Sequence, residues 1–385
     1  MAAHPGAPLM TRGVAILGST GSIGTTALRV IDRHPGRFHV AALTAFDNAA
    51  LLAEQAARVR PGYVGCVNVE PGAGRGWPTG AACLVEAATR SDADIVLNAV
   101  VGAAGLDATL AALEAGKRVA LANKESLVVA GALVSEACRR GGGEIVPVDS
   151  EHSAILQCLA GRAPGDVRRV VLTASGGPFR EWSRARIERA TVDDALRHPT
   201  WSMGRKITVD SATLANKALE VIEAHHLFGF PYERIDVVVH PQSVVHSFVE
   251  LVDGSVLAQL GVPSMELPVL YSLTHPERVE DDGVPPLDPV ALSPLTFEPV
   301  RHDAFPALRL GIRAGCAGGA APAIFNAANE EAVALFLAGT IRFGEIPKAI
   351  ESALADLSHV PAESREALLA ADADARRHVK ERFAC

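Results

Sequence analysis

The sequence predicts an α/β protein that begins with a Rossmann-like doubly wound parallel sheet. Short apolar segments alternate with helical segments across residues 14–121. A Gly-rich turn at residues 18–24 directly follows the first of these apolar segments. Strands that alternate with helices are typical of a parallel sheet. A Gly-rich turn after the first strand is where a dinucleotide pyrophosphate binds, against a helix N-terminus.

Six apolar segments define the predicted N-terminal sheet, and Pro147 interrupts the last of them. The strands are predicted at residues 14–17, 38–44, 63–67, 95–98, 118–121 and 144–148. Helices are predicted from the Gly-rich turn to about His34 and over residues 48–59. The turn has the sequence GSTGSIG, so Ser19 occupies the first glycine position of the usual GxGxxG pattern. A tight left-handed turn that binds nothing remains the alternative.

After residue 150 the pattern predicts a central α+β catalytic domain with a mixed sheet. Its strands are predicted at residues 167–173, 235–239, 243–251 and 254–261, with Asp253-Gly254 as a hairpin turn. Six prolines in residues 285–306 indicate a stiff linker, and the Ala-rich chain that follows has helical periodicity. The predicted divisions are residues 1–149, residues 150–282, a linker at 283–306 and a small C-terminal helical domain at 307–385.

Composition and charge exclude several classes of partner. The 385 residues carry a formal net charge of −8 and no basic tract, which argues against nucleic acid and membrane surfaces. No apolar run approaches the ~20 residues that span a bilayer. Residues 1–13 lack the apolar segment of a secretory signal and are expected to be a disordered lead-in. The six cysteines include no CxxC pair, so we expect reduced thiols and a cytoplasmic protein.

One polar segment, residues 198–220, carries the residue types of a reaction site. Asn216, Lys217 and Glu220 share one face of a helix that is predicted to start at Ser211. Lysine, asparagine and serine side chains hold phosphate groups well, and a carboxylate beside them suggests a metal or proton transfer. An exposed amphipathic helix face is the alternative for these residues alone.

A second segment, which is acidic, favours the prediction of a metal site. Asp149, Ser150 and Glu151 follow the strand predicted at residues 144–148, and in an extended chain the two carboxylates point to the same side. Together with Glu220 they would supply three oxygen ligands to a hard cation such as Mg²⁺ or Mn²⁺. The alternative interpretation of Asp149 and Glu151 is a solvated loop after a strand.

Seven short motifs between about Arg12 and about Ile350 carry a specific resemblance to a known family. They are GSTGSIG (18–24), LANKESLV (121–128), PVDSEH (147–152), TASGGPFR (173–180), HPTWSMGRKITVDSATLANKALE (198–220), HPQSVVHS (240–247) and NAANEEAV (326–333). In these motifs, their order and their spacing, the chain resembles the 1-deoxy-D-xylulose 5-phosphate reductoisomerases.

The resemblance implies a homodimeric enzyme that acts on a small sugar phosphate. It would convert 1-deoxy-D-xylulose 5-phosphate to 2-C-methyl-D-erythritol 4-phosphate in the non-mevalonate pathway to isoprenoid precursors. In this family the C3–C4 bond breaks, the skeleton rejoins as a branched aldehyde, and a hydride from NADPH reduces that aldehyde. A divalent metal, Mg²⁺ or Mn²⁺ and in vitro also Co²⁺, would stabilise the enolate charge as a Lewis acid.

The resemblance also assigns roles to individual residues. The implied metal ligands are Asp149, Glu151 and Glu220, and the implied catalytic residues are Lys124, Glu151 and His198. The implied substrate contacts are Lys124, Ser150, Glu151, Ser175, His198, Ser211, Asn216, Lys217 and Glu220, with the phosphate on Ser175, Ser211, Asn216 and Lys217. The implied cofactor contacts are Thr20, Gly21, Ser22, Ile23, Asn48, Asn123, Glu125 and Gly204. A lone histidine is more often structural than catalytic, so four others are left out of the expected site: His152, His225, His226 and His246.

Two further expectations concern loops. Trp201 and Met203 match a mobile flap over the substrate in the family. Asp47 lies just after the second strand, where family members often carry a basic or small polar residue. An acidic residue in this region usually binds the ribose hydroxyls of NAD and repels a 2′-phosphate. NADPH stays the expected cofactor, with Arg33 and Arg37 as candidates to compensate for Asp47.

Two other functions remain open on the residues alone. A plain NAD(P)-dependent dehydrogenase of a sugar phosphate would explain the Gly-rich turn and the phosphate-binding residues, but it does not need three carboxylates around a metal. Substrate consumption without metal would favour it. A non-catalytic NADPH-sensing protein would keep the fold and lose site residues, whereas all of the implied ligands are present in this chain.

Overall fold

The computed structural model describes residues 11–69, 76–292, 294–357 and 362–384. Most of the predicted lead-in, and Cys385, lie outside these residues. Two compact units make up the described chain. The first holds the described residues of Met1–Asn123, Val134–Asp149 and Met265–Pro285, and the second those of Lys124–Leu133, Ser150–Ser264 and Pro286–Cys385. The four divisions expected from the sequence stay a prediction.

The described residues form ten strands and fifteen α-helices. The strands are β1 (Arg12–Leu17), β2 (Phe38–Ala45), β3 (Tyr63–Cys66), β4 (Ile95–Asn98), β5 (Arg118–Leu121), β6 (Glu144–Pro147), β7 (Val167–Ala174), β8 (Ile235–Val239), β9 (Val245–Leu251) and β10 (Val256–Leu260). The helices are α1 (Ser22–Arg33), α2 (Ala49–Val59), α3 (Ala82–Thr89), α4 (Leu106–Glu114), α5 (Lys124–Gly141), α6 (Ser150–Leu159), α7 (Arg184–Ile187), α8 (Val192–Ala195), α9 (Arg205–Thr213), α10 (Ala215–Phe228), α11 (Glu266–Thr274), α12 (Pro306–Ala317), α13 (Ala321–Leu337), α14 (Ile346–Leu357) and α15 (Arg365–Phe383).

In the first unit, the described strands form a six-stranded parallel sheet in the order β3-β2-β1-β4-β5-β6. Residues 14–17 of β1 are fully buried, as expected for a central strand of a parallel sheet. The strand order reverses between β1 and β4, and ligands of open α/β sheets bind at the carboxyl ends of the strands beside such a reversal. The predicted Rossmann-like sheet is confirmed.

In the second unit, the described strands form a mixed four-stranded sheet in the order β10-β9-β7-β8. Strand β7 is parallel to β8 and antiparallel to β9, which is antiparallel to β10. The predicted hairpin turn joins β9 and β10, with Gly254 at a φ of 89° and Asp253 accepting a hydrogen bond of 2.9 Å from the Ser255 N–H. Ile155 of α6 and Val221 of α10 pack with Val249 of β9 in the core of this unit.

The C-terminal part of the second unit is helical, as predicted. Helix α13 is buried along most of its length and packs against α12, α14 and α15. Its sequence is rich in alanine, whose small side chain lets neighbouring helices approach closely and costs no side-chain entropy on burial. None of the helices in the described part of the chain is both long and apolar enough to span a membrane.

Two local predictions are wrong. Ser211 does not begin a helix but lies near the end of α9, because Leu214 takes a left-handed conformation with a φ of 61° and separates α9 from α10. Glu151 is not in an extended chain, because α6 begins at Ser150, directly after Asp149. The i, i+2 argument for one-sided carboxylates therefore does not hold, and the positions of these groups follow from a strand-to-helix junction instead.

Candidate functional site

The Gly-rich turn of the first unit has the close packing that a dinucleotide turn needs. Gly18 has a φ of 83°, and a Cβ atom there would lie 2.7 Å from the carbonyl oxygen of Ala99, which follows β4. A Cβ atom on Gly24 would lie 2.4 Å from the Gly18 carbonyl oxygen and 2.5 Å from Ser19 Cα. Gly24 therefore lets α1 pack directly on the turn, which is the role of the third glycine of a Rossmann turn.

Ser19 replaces a glycine without strain, because Gly18 takes the left-handed conformation one position earlier. The Ser19 side chain is buried and donates to Gln55 Oε1 across 2.7 Å, while Gln55 Nε2 donates to the Ser19 carbonyl across 2.9 Å. Gly21 is the N-cap of α1 and provides no side-chain cap. The N-cap residue therefore has no side chain that could accept from the N–H groups in the first turn of α1. This arrangement suits a phosphate. The predicted cofactor residues Thr20, Gly21, Ser22 and Ile23 lie in this turn and at the start of α1.

Asn48 and Asn123 have local structural partners. Asn48 caps α2 and accepts a hydrogen bond of 3.1 Å from the Leu51 N–H. The buried Asn123 amide donates to the carbonyls of Val100 and Gly102, at 2.7 and 2.8 Å. Its side chain therefore shapes the loop after β4, at the strand-order reversal where a dinucleotide would lie.

Arg33 and Arg37 are committed to carboxylates of their own unit. Arg33 donates to Asp281 across 2.7 Å and also contacts Glu266. Arg37 donates to Glu277 across 2.7 Å. These ion pairs occupy the guanidinium groups that were candidates to offset the charge of Asp47, which is exposed after β2. The sequence-based compensation by these two arginines is therefore not supported.

In the second unit, a cluster of charged groups surrounds Glu220. Glu220 is 1% exposed and lies on α10, one turn after Asn216. Its carboxylate accepts a hydrogen bond from the Asn216 side-chain amide. Lys124, at the start of α5, donates to Asn216 Oδ1 across 3.0 Å and to Glu220 Oε1 across 3.3 Å. The predicted sharing of one helix face by Asn216 and Glu220 is confirmed, and Lys124 joins them.

Lys217 connects Glu220 to the acidic segment. Its buried ammonium contacts Glu220 Oε2 and donates to Glu151 Oε1 across 2.7 Å, and Ser150 Oγ donates to Glu151 Oε2 across 2.6 Å. Two carboxylate oxygens that contact one ammonium converge on a position that a cation can take. This all-oxygen donor set suits a hard divalent metal such as Mg²⁺ or Mn²⁺. Asp149 immediately precedes Ser150 in the chain and ends the first unit.

A buried histidine and a buried carboxylate lie behind these acidic residues. His152 Nε2 lies 2.9 Å from the backbone carbonyl oxygen of Glu220, and its Nδ1 lies 3.0 Å from Glu223 Oε2. Both His152 and Glu223 are fully buried. The absence of His152 from the expected site stays a prediction, and the only sequence signal for Glu223 is its place one turn after Glu220 on the same helix.

Ser175 and His198 form a second group of predicted site residues. His198 Nε2 lies 2.9 Å from Ser175 Oγ, and Nδ1 of the same ring accepts from the N–H groups of Thr200 and Trp201, at 3.1 and 2.9 Å. Since Nδ1 accepts two hydrogen bonds, the proton of the neutral ring is on Nε2 and is donated to Ser175. Burial lowers the pKa of His198 to about 4, which keeps the ring neutral near pH 7.

The segment that follows His198 has no regular structure up to Gly204, the N-cap of α9. We call residues 198–204 the flap segment. Trp201 and Met203 are half-buried within it. Ser211 of α9 lies against the turn after β7, because a Cβ atom on Gly177 would be 2.8 Å from the Ser211 carbonyl oxygen. Ser175, two residues before Gly177, is therefore held near the Ser211 backbone.

Comparison with known proteins identifies the family to which these residues belong. Three family models match the chain: 1-deoxy-D-xylulose 5-phosphate reductoisomerase over residues 14–131, the C-terminal domain of that enzyme over residues 145–228, and the DXP reductoisomerase C-terminal domain over residues 260–378. Together these matches cover both the Gly-rich turn and the charged cluster.

Full-length relatives and solved structures agree with the models. The 1-deoxy-D-xylulose 5-phosphate reductoisomerase of Symbiobacterium thermophilum is 51% identical, over 97% of this chain and 99% of the relative. That of Synechocystis sp. is 49% identical, over 98% and 99%. The Zymomonas mobilis reductoisomerase, solved in complex with NADPH, has a TM-score of 0.89 at 44% identity, covering 97% of this chain and 99% of that one. A reductoisomerase solved with NADPH, fosmidomycin and magnesium has a TM-score of 0.91 at 39% identity, covering 97% and 98%. The chain belongs to the 1-deoxy-D-xylulose 5-phosphate reductoisomerase family.

Proposed function

We propose that this protein is an NADPH-dependent, metal-dependent enzyme that converts 1-deoxy-D-xylulose 5-phosphate to 2-C-methyl-D-erythritol 4-phosphate for isoprenoid precursor synthesis. The observation that carries the proposal is the contact of Lys217 with both Glu151 and Glu220, beside Lys124. Rearrangement of an α-hydroxy ketone needs a cation to stabilise enolate charge and donors to hold a phosphate. This cluster provides oxygen ligands and ammonium donors side by side.

We assign Asp149, Glu151 and Glu220 as the metal ligands, with Mg²⁺ or Mn²⁺ as the ion and Co²⁺ as a substitute. The support is the donor chemistry of the two glutamates and the convergence of their oxygens on one ammonium. Relatives solved with magnesium support the choice of a hard cation. When bound, the ion supplies Lewis-acid stabilisation of negative charge on the substrate oxygens. Asn216 donates a hydrogen bond to the Glu220 carboxylate, and Ser150 donates one to the Glu151 carboxylate. These hydrogen bonds fix the orientation of the two carboxylates.

We assign the substrate phosphate to Ser175, Ser211, Asn216 and Lys217. The neutral His198 ring donates to Ser175, which orients the serine hydroxyl without adding a charge. Gly176 and Gly177 have φ values of 82° and 64°, and the Gly177 N–H donates to Ser175 Oγ across 3.2 Å, so this turn also holds the serine hydroxyl in place. Lys217 is the cation that neutralises the phosphate, and it would exchange one carboxylate contact for that role.

We assign Lys124 to the reacting end of the substrate. Lys124 is 5% exposed and its ammonium is held by Asn216 and Glu220, so its proton is positioned next to a carboxylate rather than in solvent. A proton on Nζ in this place can stabilise or neutralise an oxygen that gains charge as the carbon skeleton rearranges. Ser150, Glu151 and His198 are also assigned to this end, and Ser150 donates a hydrogen bond to Glu151.

We also propose that the enzyme is a cytoplasmic homodimer. Strand β10 is one of the two edges of the four-stranded sheet among the described strands, and Val256 and Leu260 are 56% and 39% exposed along it. An exposed apolar edge strand is a surface that a second copy can cover. The described cysteines are free thiols, which is typical of a reducing compartment. Light scattering at micromolar concentration tests the dimer: a monomeric mass contradicts it.

The experiment that tests the proposed activity is identification of the product. The purified protein is incubated with 1-deoxy-D-xylulose 5-phosphate, NADPH and Mg²⁺, and the carbon skeleton of the product is read by ¹³C NMR. A branched skeleton, that of 2-C-methyl-D-erythritol 4-phosphate, is expected. A linear reduced sugar phosphate would show a plain dehydrogenase, and an unchanged substrate would show a protein without this activity.

A further inference from the structure

A buried hydrogen bond links α9 to the C-terminal helices. Asn329, on α13 within the motif NAANEEAV, donates from Nδ2 to Asp210 Oδ1 across 2.8 Å. Asn329 is fully buried and Asp210 is 1% exposed. A buried carboxylate is stable only where donors or cations compensate its charge. The reaction assigned above gives this pair no role, although the motif was part of the family resemblance.

Asp210 in turn holds a lysine at the end of the flap segment. Lys206, in the first turn of α9, lies 2.8 Å from Asp210 Oδ2 and 3.4 Å from Glu125 Oε1. Burial opposes the charge of Lys206, but Asp210 and Glu125 outweigh this effect and raise the pKa of its ammonium above the ordinary value. Lys206 is therefore a permanent cation that connects α9 to the residue next to Lys124.

These contacts fix the two ends of a short functional helix. The flap segment ends at Gly204, so Lys206 is anchored just after it. Ser211 directly follows Asp210, so the Asn329 hydrogen bond is made one residue from a proposed phosphate ligand. Helix α9 has no side-chain N-cap and ends at a left-handed leucine. Its position therefore depends on packing and on these buried polar contacts.

We propose that Asn329 and Asp210 are positioning residues, which act through Lys206 and Ser211 to hold the hinge of the flap segment and the phosphate ligands in register. This inference rests on the proposed function, because the positioned groups are those assigned to substrate. Neither residue touches the substrate. Their effect is expected on substrate binding and on flap order, and only weakly on NADPH binding through the Gly-rich turn.

The test compares one substitution at two positions of the same helix. Asn329→Asp places a second carboxylate against Asp210. Asn326→Asp places one next to Glu330, since Asn326 Nδ2 donates to Glu330 Oε1 across 3.1 Å one turn earlier on α13. Both asparagines are fully buried, so both variants introduce a buried carboxylate and lower the free energy of unfolding for the same reason. The double variant Asp210→Asn with Asn329→Asp restores one carboxylate and one amide with their roles exchanged.

The expected result separates the two positions. Asn329→Asp raises KM for 1-deoxy-D-xylulose 5-phosphate by up to ~10²-fold, the scale for a binding group misplaced by about 1 Å. The double variant recovers part of this loss, because it restores the hydrogen bond between α9 and α13 but not the ion pair of position 210 with Lys206. Hydrogen exchange of the Asn329→Asp variant becomes faster selectively across residues 200–210. Asn326→Asp leaves both the substrate KM and this local exchange near those of the wild type.

Three outcomes separate failure of the positioning role from failure of the proposed function. If the wild type turns over and Asn329→Asp behaves like Asn326→Asp, the positioning role is wrong. If Asn329→Asp raises exchange uniformly and the double variant recovers nothing, the pair is only part of the core. If the wild type itself lacks activity, the proposed function fails, while faster exchange confined to residues 200–210 would still support the hinge.

Discussion

His198 Nε2 lies 2.9 Å from Ser175 Oγ, and the backbone of Thr200 and Trp201 donates to the other nitrogen of the ring. One imidazole thus connects the turn after β7 to the start of the flap segment. Because both nitrogens are used, the ring is fixed as the neutral Nε2–H tautomer, which donates to Ser175.

The first prediction is that His198 does not titrate in the physiological range. Burial lowers its pKa to about 4, from about 6.5 for an exposed imidazole. Between these two pKa values the unfolded chain binds more protons than the folded chain. The neutral His198 ring therefore contributes to the free energy of unfolding above about pH 6.5, and this contribution is lost as the pH falls to about 4. Histidine NMR should show no protonation of this ring above about pH 5.

Assignment of that resonance uses His198→Gln, which removes one signal. The same variant should lose less stability than the wild type between about pH 7 and about pH 4.5, because it has no buried ring to protonate. A His198 pKa near the ordinary value would contradict a partly buried ring that is held neutral.

The second prediction concerns the metal. Asp149→Asn and Glu220→Gln each remove the charge of one proposed ligand and keep the size of the side chain. We expect an intact fold and a loss of turnover of ~10²-fold or more, the usual effect of removing a main electrostatic stabiliser. Metal titrations of kcat should shift to higher metal concentration. Unchanged activity and metal dependence in Asp149→Asn would remove it from the ligand set.

The third prediction concerns the phosphate. Lys217→Ala should raise KM for the substrate by about ten- to a hundredfold, because a charge-assisted hydrogen bond is lost. It should also leave the buried Glu220 carboxylate without its nearest cation, so added Mg²⁺ should raise the unfolding temperature of this variant more than that of the wild type. Wild-type enzyme that handles a substrate lacking the phosphate equally well would show that the phosphate assignment is wrong.

The fourth prediction concerns the flap segment. Closure over the substrate would exclude water and retain the two carbon fragments during rearrangement. With Trp77 and Trp182 replaced by phenylalanine, Trp201 fluorescence should shift and become less accessible to quencher when a phosphonate hydroxamate analogue binds. Trp182 packs on Phe179 with ring centroids 4.7 Å apart, and a phenylalanine at position 182 keeps an aromatic ring for this contact. An unchanged spectrum with bound analogue would argue against closure.

The fifth prediction concerns cofactor choice. Asp47 is exposed after β2, and Arg33 and Arg37 are paired with other carboxylates. Its charge should repel the 2′-phosphate of NADPH, at a cost of a few kcal/mol at most near a surface. NADPH is still expected to be used, and Asp47→Lys should widen the preference over NADH, mainly through KM. If the ratio of kcat/KM for the two cofactors does not change, Asp47 does not face the ribose.

Much of the fold is local information in the sequence. The strands predicted at 95–98, 118–121 and 235–239 have the observed bounds, because short apolar runs between polar turns have few other solutions. The break at Leu214 was not predictable, since a leucine in the left-handed region has no sequence signal. The start of α6 at Ser150 was hidden because Pro147 and the acidic residues resemble a loop.

The site shows the same limit. Contacts within one helix turn, such as Lys217 with Glu220, follow from spacing. Contacts between distant segments do not: Lys124 and Glu220 are 96 residues apart, and Asp210 and Asn329 are 119 apart. The family resemblance supplied Lys124, because it belongs to a motif, but gave no role to Asn329. Its partner became visible only when α9 and α13 were placed side by side.

The most direct test of the central claim is NADPH oxidation by metal-free protein with 1-deoxy-D-xylulose 5-phosphate, before and after Mg²⁺ is added. The account predicts no oxidation without metal, rapid oxidation with Mg²⁺, and, because Glu220 is a proposed ligand, little recovery in Glu220→Gln under the same conditions. Equal oxidation by metal-free and metal-loaded wild-type protein would contradict the claim that these carboxylates hold a metal for the rearrangement.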